Sequence, residues 1–315
     1  MLTDAGAMLK NFLDALAITG AEKKLKRVIL TTGAKQYGVH LGPPKNPMEE
    51  TDPWIEGPDR PPNFYYNQQI ILNDAAKGKN WDWVVTYPND VTGYARGNYM
   101  NLTTALGLYA TVCRELGKPL LFPGSERFYT GLDCFTSSKL HAEFNLWAAL
   151  EPKCRNQAFN VVNGDTHSWQ ALWPKVSARF GCHIPASQFS LPAPLASRID
   201  LHPRPPAADV AAQAGLEGRI KPGVLELRVD LTKWSREKEV VEAWERVMKR
   251  EGLDEEAWEK ATWAFLGFVL GRNYDCVISM SKARRFGWTG YVDTWDAFDD
   301  AFDELEKQKL IPKTK

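Results

Sequence analysis

Apolar positions return along this chain at two different spacings, and the alternation between them sets the expected fold. At the amino end Met8, Leu9, Phe12, Leu13, Leu16 and Ile18 recur at helical spacing, while Asp4, Lys10 and Asp14 interrupt any continuous apolar run. An amphipathic helix packed on a sheet is expected there, not a targeting peptide. The aliphatic run Arg27-Val28-Ile29-Leu30-Thr31-Thr32 predicts a strand over 28–32. A helix over about 64–76, a strand over 82–88 and a turn over 89–94 follow. A helix over 100–116 and a short strand at 120–122 come next. Ser137 is placed to cap a helix running through Leu140, Phe144, Trp147 and Leu150. Phe159-Asn160-Val161-Val162 predicts another strand, ahead of a helix bearing Trp169, Leu172, Trp173 and Val176. Strand and helix alternate throughout, so the expected class is α/β, a parallel sheet covered on both faces.

Two stretches depart from this rhythm. The segment 38–62 is rich in Gly and Pro and carries Glu49, Glu50 and Asp52. A loop of that length inside a compact domain is usually functional, and Trp54 and Ile55 are expected to let it close over something. From 185 to 222 the composition shifts to Pro, Ala and charged residues, and Arg204-Pro205-Pro206 argues against regular structure. Beyond it, helices are expected at 237–250, 255–270, 276–284 and 294–309, the last with one apolar stripe of Ala297, Phe298, Ala301, Phe302 and Leu305. The expected units are therefore a sheet domain over 1–184, a Pro-rich linker or insertion over 185–222, and a helical cap over 223–315.

Composition narrows the partners. Lys plus Arg and Asp plus Glu stand at 39 each, so nothing favours a nucleic-acid surface or an anionic membrane. Cys113, Cys134, Cys154, Cys182 and Cys276 never approach Cys-x-x-Cys spacing and are expected to be reduced, buried thiols of a cytoplasmic protein. The 5 histidines are scattered without a His-Glu-x-x-His pair, so no metal site is expected. The 12 tryptophans, several on helical patterns in the second half, suggest a well-filled helical layer that also walls an apolar pocket.

The chemistry concentrates in Asn63-Phe64-Tyr65-Tyr66-Asn67-Gln68-Gln69 and in Gly33-Ala34-Lys35-Gln36-Tyr37 at the end of the first strand. A phenol can donate to a developing oxyanion, and a nearby ammonium makes its anion less costly to form. The residues four beyond Tyr65 and Tyr66 are Gln69 and Ile70, so the lysine of such a pair must come from elsewhere, and Lys35 is the candidate. Tyrosines at helix starts are more often plain core or surface aromatics, and spacing leaves both readings open. A Gly-x-Gly-x-x-Gly turn is absent; Gly33 to Gly38 has only the outer spacing of a phosphate loop, with Val39 and His40 where Lys and Ser/Thr are required. The chain also opens on a helix that should follow earlier strands. It is expected to be the second half of a doubly wound domain without the phosphate-binding half, with an exposed strand edge and an uncovered apolar face. Poor solubility or self-association, a homodimer included, is expected unless another segment covers them.

Several runs together carry a resemblance. Thr32-Gly33-Ala34-Lys35-Gln36-Tyr37, Asn63-Phe64-Tyr65-Tyr66 and Met100-Asn101-Leu102 resemble motifs of the progesterone 5β-reductase/iridoid synthase-like (PRISE) enzymes. So do Trp147-Ala148-Ala149, Ala158-Phe159-Asn160-Val161-Val162-Asn163-Gly164-Asp165 and Trp263-Ala264-Phe265. These enzymes are atypical extended short-chain dehydrogenases/reductases, and the resemblance spans nearly the whole chain. It implies a partial Rossmann-like doubly wound parallel sheet with a C-terminal helical substrate-binding cap. It implies NADPH-dependent reduction of the activated C=C bond of an enone or enal, with Tyr65 as the hydrogen-bond donor and Lys35 supporting it. Thr32, Gly33, Lys35, Tyr65, Pro88 and Val91 would contact the cofactor, and Tyr94, Asn98, Met100 and Phe265 the substrate. The family more often has Arg-Pro-Gly where this chain has Tyr87-Pro88-Asn89, and an acidic pair where it has Gln68-Gln69. With the glycine-rich half absent, the chain is expected to be a shortened form or an incomplete gene product. The alternative is a cofactor-free small-molecule binder, isomerase or cyclase derived from the same fold.

Overall fold

The computed structural model describes residues 2–95, 97, 100–189 and 195–314. Helix α1 (Leu2–Ile18) leads into strand β1 (Arg27–Thr31), and α2 (Phe64–Ala76) into β2 (Asp82–Pro88). The two-residue strand β3 (Val91–Thr92) follows, then α3 (Leu102–Glu115), the short α4 (Glu126–Thr130), β4 (Thr136–Ser137), α5 (Ser138–Leu150) and β5 (Gln157–Val161). After α6 (Trp169–Arg179) come β6 (Ser197–Asp200), β7 (Val224–Leu227), α7 (Leu231–Trp234), α8 (Lys238–Glu251), α9 (Trp263–Gly271), α10 (Ser281–Phe286) and α11 (Thr294–Lys307).

Strands β1, β2 and β5 form a parallel sheet in that order, with Arg27 opposite Asp82, Thr31 opposite Thr86, and Pro88 opposite Val161. The middle strand is buried from Val84 to Pro88, since it has a neighbour on each side. β1 is only half-buried and, among the described residues, pairs on one side alone. This is the open edge expected from the sequence. Met8 and Phe12 on α1 (73% and 54% exposed) and Leu146 and Leu150 on α5 (68% and 82%) are the uncovered apolar surface that goes with it. At the other end of the strands Arg27 is paired with Asp82 and donates to the Glu151 carbonyl at 2.9 Å, which pins β1, β2 and the end of α5 together.

Two apolar cores divide the molecule. One lies against the sheet and includes Leu72, Val84, Val85, Phe144 and Phe159. The other is helical and gathers α3, α6, α8, α9 and α11 around Trp169, Trp173, Trp244, Leu266, Phe298 and Phe302. Helix α3 is buried from Leu102 to Cys113, apolar enough all round to sit at the centre of that core. Ser137 caps α5 as expected, accepting from Leu140 N, and asparagines cap two others: Asn63 accepts from Tyr65 N and Asn101 from Thr104 N.

Four expectations are corrected. The helix expected over 255–270 begins only at Trp263, after turns over 255–260. No strand forms at 120–122, because Pro119 and Pro123 flank it and bring no N–H to a ladder; Leu120 instead donates to the His183 carbonyl at 2.9 Å. The helix expected from 276 begins only at Ser281, since Cys276 N is spent on Leu132 O and the Val277 carbonyl on Met48 N. Within 185–222 the chain is not wholly irregular: β6 pairs antiparallel with β7, Ser197 opposite Leu227 and Asp200 opposite Val224. Arg60 of the 38–62 loop is bound to both Asp209 carboxylate oxygens at 2.8 Å, so the two Pro-rich segments are clasped to each other.

Candidate active site

The carboxyl ends of β1 and β2 open into one cavity, the place where parallel α/β sheets present their ligand sites. Thr32 extends the ladder by donating its N–H to Thr86 O at 2.9 Å, and Gly33 then turns the chain into a single 3-10 turn over Ala34–Tyr37 that holds Lys35. Asn63 fastens the two halves of the candidate pair. Its amide donates to Lys35 O at 2.8 Å while its oxygen caps α2 through Tyr65 N at 3.1 Å. Thr32, Gly33, Lys35, Tyr65, Pro88 and Val91 all line the cavity, and Met100 and Phe265 close it on the apolar side.

The adjacent tyrosines are separated by what their hydroxyls meet. Tyr66 is buried, stacked on Trp54 at 4.4 Å; its hydroxyl donates to Gln36 O at 2.6 Å and accepts from Ile55 N at 2.9 Å, a structural role. Tyr65 reaches the cavity beside Gly33. A Cβ built on Gly33 would lie 3.4 Å from the Tyr65 hydroxyl and 3.3 Å from the Pro88 carbonyl, so the absent side chain leaves a narrow gap between phenol and turn. Burial holds the Tyr65 hydroxyl above the ordinary tyrosine range, so it carries its proton through neutral pH. Gln69, at one of the two positions where the family more often has an acid, is used internally. Its amide donates to Gln36 Oε1 at 2.8 Å and its oxygen accepts from Tyr87 at 2.6 Å.

Some expected residues fall elsewhere. Tyr94 lines a different cavity, with Thr92, Gly93, Ser138 and residues of α11, because the chain turns away after β3 and directs it toward the helical core. Asn98 lies outside the described residues. Six residues not named as candidates from the sequence also line the site: Ala34, Val39, Asn89, Asp90, Phe268 and Arg272. Phe265, Phe268 and Arg272 follow one another at intervals of three and four, one face of α9 and its end, a signal visible in the sequence but without a partner to interpret it. Arg272 is 1% exposed and grips Asp90 through two bonds of 2.7 and 3.1 Å. Nearby Asp133 is also buried, and burial, then the charge of Asp90, push its carboxyl well above the usual carboxylate range.

His40, just past the Lys35 turn, has a buried Nδ1 with no hydrogen-bond partner, and burial together with the Lys35 charge lowers its pKa to about 4. Its folded-state pKa lies below the unfolded value, so it contributes stability above pH 6.5 that is lost as pH falls toward 4. We expect this loss to amount to about 3 kcal/mol at most. Urea melts at pH 7 and pH 4 should differ less by that amount in His40→Gln. An unchanged pH dependence would show that His40 is solvated. Away from the cavity, Asp165, His167 and Asp293 come together, but both Asp165 oxygens accept bonds from Thr294 and one also meets His167 at 2.9 Å. The free thiols are raised by burial wherever a shift is resolved.

The profile of the PRISE-like Rossmann-fold domain matches residues 4–202. The chain belongs to the PRISE-like family. Its relatives in that family include an uncharacterized protein of Schizosaccharomyces pombe, 44% identical over 98% of this chain and 76% of that protein. The short chain dehydrogenase gsfE of Penicillium aethiopicum is 33% identical over 98% and 74%. The 3-oxo-Delta(4,5)-steroid 5-beta-reductase of Arabidopsis thaliana is 28% identical over 98% and 69%. Among solved structures, the Bordetella bronchiseptica enzyme WbmG in complex with NAD and UDP shares the fold with a TM-score of 0.50 at 14% identity, over 96% of this chain and 66% of that one. This PRISE-like chain is thus of the short-chain dehydrogenase/reductase type, an oxidoreductase lineage. No helix among its described residues is long and apolar enough to cross a membrane.

Proposed function

We propose that this protein is an NADPH-dependent reductase of the activated C=C bond of an enone or enal. The observation that carries the reading is that Lys35 and the Tyr65 hydroxyl, from separate elements, line one cavity whose other wall is Met100, Phe265 and Phe268. An apolar body with a single polar oxygen fits such a lining. Thr32, Gly33, Pro88 and Val91, which line the cavity beside the Tyr65 hydroxyl, would hold the nicotinamide, and the missing side chain at Gly33 keeps that side open. When bound, the nicotinamide supplies a hydride to the substrate's β-carbon.

Tyr65 donates a hydrogen bond to the substrate carbonyl oxygen. As negative charge grows there, the bond strengthens, which is what lowers the barrier: one well-placed donor in a dry site contributes roughly 3–4 kcal/mol. Lys35 lines the same cavity, and its role in this reading is to make a shift of the Tyr65 proton toward that oxygen less costly. Phe265 and Phe268 exclude water, which strengthens both interactions. The test is direct. Purified protein should consume NADPH with α,β-unsaturated ketones or aldehydes and leave saturated carbonyls untouched. Conversion that proceeds with no dinucleotide present would replace this reading with a cofactor-free isomerase or cyclase.

A further inference from the structure

We infer that Arg272 is a positioning residue, which ties the cap helix α9 to the turn between β2 and β3 and so fixes the two walls of the cavity relative to each other. This rests on the reductase reading above for its catalytic consequence, though not for the tie itself. Asp90 reverses the chain between β2 and β3 with a φ of 33°, a left-handed conformation that a residue with a side chain adopts at some cost. Its carboxylate is held on both oxygens by the Arg272 guanidinium at 2.7 and 3.1 Å, a geometry in which the arginine fork admits one orientation of its partner.

Both ends of that tie touch the cavity. Asn89, Asp90 and Val91 form its turn wall, while Phe265 and Phe268 lie on the α9 face that ends in Arg272. The guanidinium is itself fixed, 5.0 Å from the Phe268 ring centre and 5.7 Å from that of Phe128, and the Arg272 carbonyl accepts from the Ser125 hydroxyl. β3 adds only a two-residue pairing to β4, with Asn89 N donating to Thr136 Oγ1 at 2.9 Å. Asp133, the other acid beside Arg272, approaches it only at 3.8 Å, so the guanidinium grips Asp90 more closely than Asp133. The pair therefore places the side of the cavity proposed to meet the nicotinamide in register with the side proposed to meet the substrate.

The experiment compares Arg272→Lys and Asp90→Asn with wild type, using Arg127→Gln, which removes an exposed ion pair to Asp275, as the control. Lysine keeps the charge but not the two-pronged grip, and asparagine keeps the shape but not the charge. Hydrogen–deuterium exchange on the protein alone should speed up about 10-fold or more at the 89–94 amides in both variants, with the sheet and α3 unchanged. In turnover with NADPH and an enone, kcat should fall about 10- to 100-fold with KM within about 3-fold. The primary isotope effect from deuterated nicotinamide should rise, a change that a smaller folded fraction cannot produce. Unaltered exchange at 89–94 overturns the tie, as does a loss of kcat accompanied by uniformly faster exchange and an unmoved isotope effect. A wild-type protein that turns over no enone defeats the reductase reading instead, and exchange at the turn then decides the tie by itself.

Discussion

Tyr65→Phe is expected to lower kcat by roughly 10²- to 10³-fold while leaving NADPH affinity within about 3-fold. The substitution removes one oxygen from a cavity in which that hydroxyl lies beside Gly33 and fills no packing role that phenylalanine would not also fill. The neighbouring Tyr66→Phe provides the contrast. Its hydroxyl spans Gln36 O and Ile55 N, so its loss should cost about 1–2 kcal/mol of stability and leave the chemical step intact. Steady-state kinetics and urea melts of both variants check this; if Tyr66→Phe shows the kinetic defect and Tyr65→Phe does not, the acid has been assigned to the wrong ring. The pH profile gives a second check. Because burial raises the Tyr65 pKa above the tyrosine range, its protonated form persists through neutral pH, and no loss of rate from its ionisation is expected until alkaline pH beyond that range.

Gly124→Ala is expected to destabilise the protein by about 3 kcal/mol or more, the upper end of what overpacking costs. A Cβ at Gly124 would meet the Leu270 carbonyl oxygen at 1.9 Å and its carbon at 2.3 Å, and these are backbone atoms that cannot swing aside. The close approach is functional in its geometry. Ser125 N donates to the same Leu270 carbonyl at 3.1 Å, so this contact seats the end of α9 from which Arg272 reaches Asp90. The variant should therefore lose activity beyond its loss of stability. Gly117→Ala is the matched comparison, with φ of 62° and open space around it, where only the backbone conformation costs, about 1 kcal/mol. Guanidinium melts measure both, and equal midpoints would show that α9 does not sit this closely on Gly124.

Much of the frame was legible because its causes are local. The runs at 28–32 and 82–88 became parallel strands, since their β-branched and aromatic residues suit a sheet, the second as the buried middle strand. Ser137 marked a helix start because a side-chain oxygen there satisfies a backbone N–H that the helix leaves free; Asn63 and Asn101 do the same at α2 and α3. β7 was missed because Val224-Leu225-Glu226-Leu227 is too short for its alternation to stand out, and its partner β6 lies inside a segment whose prolines argue against any strand. Cys276–Met280 failed as a helix because its backbone groups found bonding partners far away in sequence, at Met48 and Leu132.

The sequence by itself determined the α/β class, the periodicity of most helices and the two short motifs that bring Lys35 and Tyr65 to the ends of a strand and a helix. Those features depend on spacing, capping and burial preference, which act over a few residues. Only the tertiary structure decided which tyrosine faces the cavity, that Tyr94 does not, and that an arginine 182 residues from Asp90 would close the site. A side chain's direction and a buried ion pair are fixed by where distant segments pack, and the solvent they exclude gives such a pair its strength.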